Sequence, residues 1–248
     1  LFTEHGFLMY RISALAAGAT PVQVRERDRV TDIDALIAGA TPRTRLIFVA
    51  NPNNPTGTMI GLPELERLAR AVPQAILVID AAYAEYVEGY DGGAATVTAR
   101  ENVFMTRTFS KIYGLAGLRI GYALTSAGIA DLMNRVRQPF NCNNLALAAA
   151  TAALDDGEFV ARSQALNSAG MEQLTEGFRR FGFDFIPSYG NFVVFRAGDA
   201  ASVNEKLLKQ GVIVRPIAGY GMPEWLRVTI GTEAENRRFL EALEKTRA

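Results

Sequence analysis

The chain is nearly devoid of the residues that carry metal and redox chemistry, with one cysteine, Cys142, and one histidine, His5, in 248 residues. A lone cysteine excludes an internal disulfide, and beside a lone histidine it argues against a zinc site. Neither sign of charge is in excess, because 26 lysines and arginines meet 26 aspartates and glutamates. No global field therefore draws the protein to nucleic acid or anionic lipid, and no basic run supplies a local one. The longest small-apolar stretch, Leu145 to Leu154, is too short and alanine-rich to span a bilayer. The first residues show no charged region leading into an apolar run. These absences set the expectation of a soluble cytoplasmic protein without metal, membrane or nucleic-acid partners.

Hydrophobic residues make up 49% of the sequence, enough for one or two packed domains. Pro21–Val24, Arg45–Val49, Ala75–Ile79 and Asn102–Met105 read as strands, two of them almost continuously apolar. Such strands suit a parallel sheet covered on both faces. Leu62 to Val72 places Leu65, Leu68, Ala69 and Val72 on one helical face, with Pro63 in the first turn. Alternating strands and helices predict an α/β sheet with right-handed crossovers. Beyond Arg137 to Asn144 the texture changes to long helices followed by strands 183–186, 192–196, 212–215 and 226–230, with helices at 201–210 and 233–245. We therefore expect a large α/β domain over 1–140 and a smaller α+β domain over 141–248.

Three polar clusters follow the strands of the first domain. Asn51 to Gly57 comes after one, Asp80 with Tyr83 after the next, and Ser110-Lys111 after the third. Ligands of open α/β sheets bind outside the carboxyl ends of the strands, so all three converge on one edge. Singly, each has a plain structural explanation. Asn, Pro and Gly form turns, and an aspartate after a strand caps a helix. Together they supply an amine able to hold an aldehyde as a Schiff base, a carboxylate for a protonated pyridine, and hydroxyls with an arginine for a phosphate.

The segments Ala50-Asn51-Pro52-Asn53-Asn54-Pro55-Thr56-Gly57-Thr58, Arg107-Thr108-Phe109-Ser110-Lys111 with Gly114 to Tyr122, and Trp225 to Thr232 resemble motifs of the fold-type I pyridoxal-phosphate aminotransferases. The resemblance is nearest to the histidinol-phosphate aminotransferase family and runs in that family's order. It implies pyridoxal 5'-phosphate as cofactor, with Lys111 as the Schiff-base lysine and Asp80 as the partner of the pyridine nitrogen. It implies Tyr83 and Asn54 at the phenolic oxygen, and Thr108, Ser110 and Arg119 at the phosphate. Arg227 matches the clamp on the substrate carboxylate, with Asn191 nearby. Phe7 matches an aromatic stacked on the ring, although Tyr10, three residues on, competes for that place. Arg215 matches a contact to a substrate phosphate, or else is an exposed arginine at a strand end.

The resemblance begins inside the family's pattern. It implies a large-domain sheet incomplete at its N-terminus, without the family's glycine-rich phosphate loop or the tyrosine donated across its homodimer. The implied reaction turns histidinol phosphate and 2-oxoglutarate into imidazole-acetol phosphate and glutamate. An aromatic amino acid aminotransferase, a related phosphate-substrate decarboxylase and an inactive cofactor-binding fragment are the alternatives.

Overall fold

Apolar strands alternating with amphipathic helices carry the first half of the chain, as a computed structural model describing residues 1–247 shows. In order come β1 (Phe2–Thr3), α1 (Leu8–Ala16), β2 (Gln23–Val24), α2 (Ile33–Gly39), β3 (Leu46–Ala50), α3 (Leu62–Ala71) and β4 (Ile76–Asp80). Then follow α4 (Ala94–Ala99), β5 (Val103–Thr108), β6 (Gly121–Thr125) and α5 (Ala127–Val136). Strands β3, β4 and β5 are parallel neighbours, and β6 closes the sheet antiparallel to β5. On the other side β1 lies along β3, its Leu1 carbonyl accepting from the Phe48 N–H at 2.9 Å.

The core beneath this sheet joins Ile47, Val49, Leu77, Ile79, Val103 and Met105 to Leu65 and Leu68 of α3. Asn102 fixes the α3–β4 connection, its side-chain amide donating to the carbonyls of Ala69 at 3.0 Å and Ala75 at 3.1 Å. The Ala69 carbonyl lies in the last turn of α3, where intrahelical donors run out, and the Ala75 carbonyl leads into β4. Strand β6 lies outside the expected elements for a physical reason: Tyr122, Ala123 and Leu124 are exposed on both faces of an edge strand, so no burial alternation marks it.

The second half contains α6 (Asn144–Asp155), α7 (Gly157–Phe181), β7 (Phe185–Ile186), β8 (Phe192–Arg196), α8 (Ala200–Lys209), β9 (Arg215–Pro216), β10 (Trp225–Thr229) and α9 (Glu233–Lys245). Its strands form an antiparallel sheet in the order β7-β8-β10-β9. Helices α7 and α9 cover it, burying Phe178, Phe195, Leu226, Phe239 and Leu243 in one core. Thr232 and Glu235 form a reciprocal capping box that starts α9 where the sequence pattern places it. Helix α6 sorts differently from a boundary at residue 140. Its Ala146 and Ala150 pack on Phe109 and Ile120 of the first domain, so the second domain's own core begins within α7.

Phe178 is fully buried and stacks on Phe195 at 4.8 Å between ring centroids. Phe178→Ala should destabilise the second domain by about 3–5 kcal/mol, the range for removing a core aromatic. Urea unfolding measures this, and a loss under about 1 kcal/mol would mean that the core collapses around the gap.

Candidate active site

Asp80 is the last residue of β4, level with Ala50 of β3 and Thr106 of β5. It therefore stands at the carboxyl edge of three parallel strands. The Tyr10 hydroxyl donates to its Oδ2 at 2.8 Å, and Tyr10 in turn stacks on Phe48 at 4.8 Å. Burial pushes the Asp80 carboxyl above the usual carboxylate range, while the Tyr10 hydroxyl and the Ala82 N–H hold it back. The Lys111 charge acts in the same restraining direction, since a nearby cation favours the charged form that burial disfavours.

Lys111 follows β5 by three residues, and its Nζ lies 5.1 Å from the Tyr83 ring centroid. Among the described residues it enters no ion pair, which leaves the amine available. Thr108, Ser110 and Arg119 come together beside it. The Thr108 hydroxyl accepts from the Ser110 N–H at 3.0 Å, and Arg119 Nη1 reaches Ser110 Oγ at 3.4 Å. Arg119 adopts a left-handed backbone, φ 55°, which turns the chain after the Ala116–Leu118 3₁₀ turn and into β6. Two hydroxyls and an exposed guanidinium beside a free amine make a suitable grip for a phosphate.

The second domain faces this set. Arg227 of β10 donates through Nη1 to Asn54 Oδ1 at 2.6 Å, and its guanidinium lies 4.7 Å over the Phe192 ring. Its Nε is buried without a partner. Burial is the largest influence on Arg227 and lowers its affinity for its proton; neighbouring Arg215 acts in the same direction. Arg215 is the direct cross-strand partner of Arg227 in the β9–β10 pair, which puts both side chains on one face. Phe192 meets Tyr83 edge-on at 5.2 Å, joining the two domains at the cleft. Asn191 precedes Phe192, with its side chain against the Tyr86 hydroxyl, which burial raises to about 12.

The Asn54 loop forms the other wall. Gly57, at φ 78°, leaves no room for a Cβ against Ser188, and its carbonyl accepts from the Tyr189 N–H at 2.8 Å. Glycine is needed there both for its backbone conformation and for the close approach of the second domain. Contacts link most of the site residues read from the sequence: Lys111 to Tyr83 and Asp80, Tyr83 through Phe192 to Arg227, and Arg227 to Asn54 and Arg215. Phe7 starts α1, half-buried and 5.8 Å from Tyr10. Because Tyr10 is committed to Asp80 and Phe48, Phe7 is the freer ring of the two. Reasoning from sequence missed Tyr10 as the partner of Asp80, and it missed Tyr220. Burial raises the Tyr220 hydroxyl, which lies against the Leu8 N–H. Neither carries a local signal, since each depends on distant segments meeting.

This donor set fits pyridoxal phosphate. A buried carboxylate in need of a cation, a free amine, a hydroxyl–guanidinium grip and a half-used Asn54 amide match the pyridine nitrogen, aldehyde, phosphate and phenolic oxygen respectively.

Comparison with known proteins agrees. The sequence pattern described as aminotransferase class I and II matches residues 1–243. A histidinol-phosphate aminotransferase of Paracoccus denitrificans is 65% identical over 246 residues, covering 98% of this chain and 67% of the relative. Histidinol-phosphate aminotransferase 1 of Dechloromonas aromatica is 56% identical, with 99% and 68% covered. The chain thus spans about two thirds of the length of these relatives. Among solved structures, the histidinol-phosphate aminotransferase of Sinorhizobium meliloti in complex with pyridoxal-5'-phosphate superimposes with a TM-score of 0.90 at 28% identity, covering 99% of this chain and 70% of that one. With its fold, its cleft and its sequence in agreement, the chain belongs to the class I and II aminotransferase family.

Proposed function

We propose that this protein is a pyridoxal-phosphate-dependent aminotransferase that exchanges an amino group between histidinol phosphate and 2-oxoglutarate. The observation that carries the substrate reading is the Arg215–Arg227 register pair, which Phe192 connects to Tyr83 and so to Lys111. Two adjacent guanidiniums suit a substrate phosphate, whose charge and oxygen count exceed those of a carboxylate, while Arg227 alone suffices for the α-carboxylate of glutamate. The relatives at 65% and 56% identity bear the name of this activity.

When bound, pyridoxal phosphate supplies an aldehyde for the substrate amine and a ring that withdraws electrons from the substrate Cα. The residues of the chain do the rest. Asp80 holds a proton on the pyridine nitrogen, and Tyr10 orients that carboxylate. Lys111 Nζ would take the proton from the substrate Cα. Asn54 engages Arg227 through its oxygen, which leaves its amide N–H groups for the phenolic oxygen beside Tyr83. Arg227 orients the substrate, so that the Cα–H bond stands near the amine.

No helix among the described residues is long and apolar enough to cross a membrane. Our reading includes a homodimer in the cytoplasm. Helix α5 buries none of its residues, and Leu132, Met133, Val136 and Phe140 stand exposed on it and just after it. A patch of that kind supports an association surface.

Three outcomes test the reading. Borohydride reduction of the cofactor-loaded protein should fix the label on Lys111 in peptide mass mapping; a label elsewhere with Lys111 free would refute the assignment. Asp80→Asn should retain cofactor but slow the glutamate half-reaction by about 100-fold or more, the scale for losing one oriented electrostatic group. An unchanged rate would reduce Asp80 to a structural role. Arg215→Ala should weaken histidinol phosphate by about 1.5–3 kcal/mol, roughly tenfold to hundredfold in Kd, while phenylalanine binding barely changes. Equal losses for both ligands would remove the phosphate argument.

A further inference from the structure

Arg107 and Glu85 form an ion pair outside the cofactor and substrate contacts described above. Arg107 Nη1 lies 2.9 Å from Glu85 Oε1, with side-chain exposures of 15% and 6%. Arg107 Nη2 also donates to the Asp91 carbonyl at 2.6 Å, and Gly92 leaves just enough space for the guanidinium. Gln164 of α7 donates to the Glu85 carbonyl at 2.5 Å. Glu85 Oε2 and Arg107 Nε are buried with no partner, so the pair is not an optimised stabilising bridge. Buried pairs with unmet atoms do little for net stability, which points to a role in geometry.

Its position supplies that role. Strands β4 and β5 stay in register to Asp80 and Thr106, and the last bond between them runs from the Ala81 N–H to the Thr106 carbonyl. Beyond it the two backbones part, one toward Tyr83 and the other toward Lys111. Glu85 sits two residues past Tyr83 and Arg107 four residues before Lys111, and their contact reconnects the diverging arms. Through Gln164, the same node also ties the Tyr83 turn to the helix that begins the second domain's core.

We infer that Glu85 and Arg107 are positioning residues that set the Tyr83 hydroxyl against Lys111 and the cofactor ring. The inference rests on the aminotransferase reading, because it assigns Tyr83 to the ring. It needs no contact between the pair and any ligand. Glu85→Gln keeps the shape but removes the charge that holds Arg107, so the Tyr83 turn loosens.

The test is the absorption of the cofactor-loaded protein as a function of pH, with thermal midpoints recorded alongside. Glu85→Gln should move the spectral midpoint by about half a pH unit or more, because the hydroxyl at the phenolic oxygen is displaced. In a Tyr83→Phe background the same change should move it no further, since effects that pass through one group do not add. Glu85→Asp, which keeps the charge but shortens its reach, should shift the midpoint in the same direction by less, and it carries the test if Glu85→Gln does not fold. A lowered thermal midpoint with an unmoved spectrum, or equal spectral shifts with and without Tyr83, would reduce the pair to a structural bridge. Failure of the unaltered protein to take up cofactor on Lys111 would overturn the aminotransferase reading and this inference with it. Uptake with coincident spectra would overturn this inference alone.

Discussion

The site depends on β3, β4 and β5 running parallel and ending together. Parallel register places Ala50, Asp80 and Thr106 side by side, so the loops that follow leave the sheet at one edge. A parallel pair cannot be joined by a tight turn; each crossover must travel back through a helix, such as α3 between β3 and β4. The buried face of α3 and the anchoring of its end by Asn102 are therefore remote from the chemistry but decide where Asp80 stands. Antiparallel β6 then returns the chain beside β5, and Arg119, at the turn into it, comes back to Ser110.

Several of the short contacts that attach the second domain to that edge involve candidate site residues or their neighbours. Arg227 bonds Asn54, Tyr189 bonds Gly57, and Phe192 meets Tyr83. On the proposed reading, substrate that engages Arg227 would act on the same Asn54 wall that holds the cofactor ring. Binding energy at the second domain can in this way be spent on alignment at Lys111, since small displacements at a reacting centre are costly. The crowding of Gly57 against Ser188 makes this seam intolerant of side chains.

How much of this was legible in the sequence varies by element. Strands β3 and β4, helices α3 and α9, and strands β8 and β10 follow from apolar pattern and capping residues, because local burial decides them. That the segments after β3, β4 and β5 leave the sheet at one edge was also legible, since the strands read as parallel. Edge strand β6 and the allegiance of α6 were not. The first has no buried face to mark it, and the second depends on Phe109 and Ile120 some 26 to 41 residues upstream. Tyr10 on Asp80 spans 70 residues, and Glu85 on Arg107 spans 22, so periodicity gives no warning of either. Arg215 lay between two readings on sequence alone, and its pairing with Arg227 depends on strand register, which is set by the whole antiparallel sheet.

On the proposed reading, charge suits the site to anionic ligands. Lys111, Arg119, Arg215 and Arg227 are its cations, while Asp80 ends β4 and Glu85 is engaged with Arg107. In a chain whose total charge balances, this local excess is a property of arrangement and not of composition. Burial disfavours the charged forms of both Asp80 and Arg227. A phosphate-bearing cofactor with a protonated ring would bring an anion to Arg119 and a cation to Asp80. An anionic substrate then answers Arg227 and Arg215. On the proposed reading, two of the charges that would recognise the ligands are thus ones that burial disfavours, and a ligand that binds the folded chain and not the unfolded one also stabilises the fold.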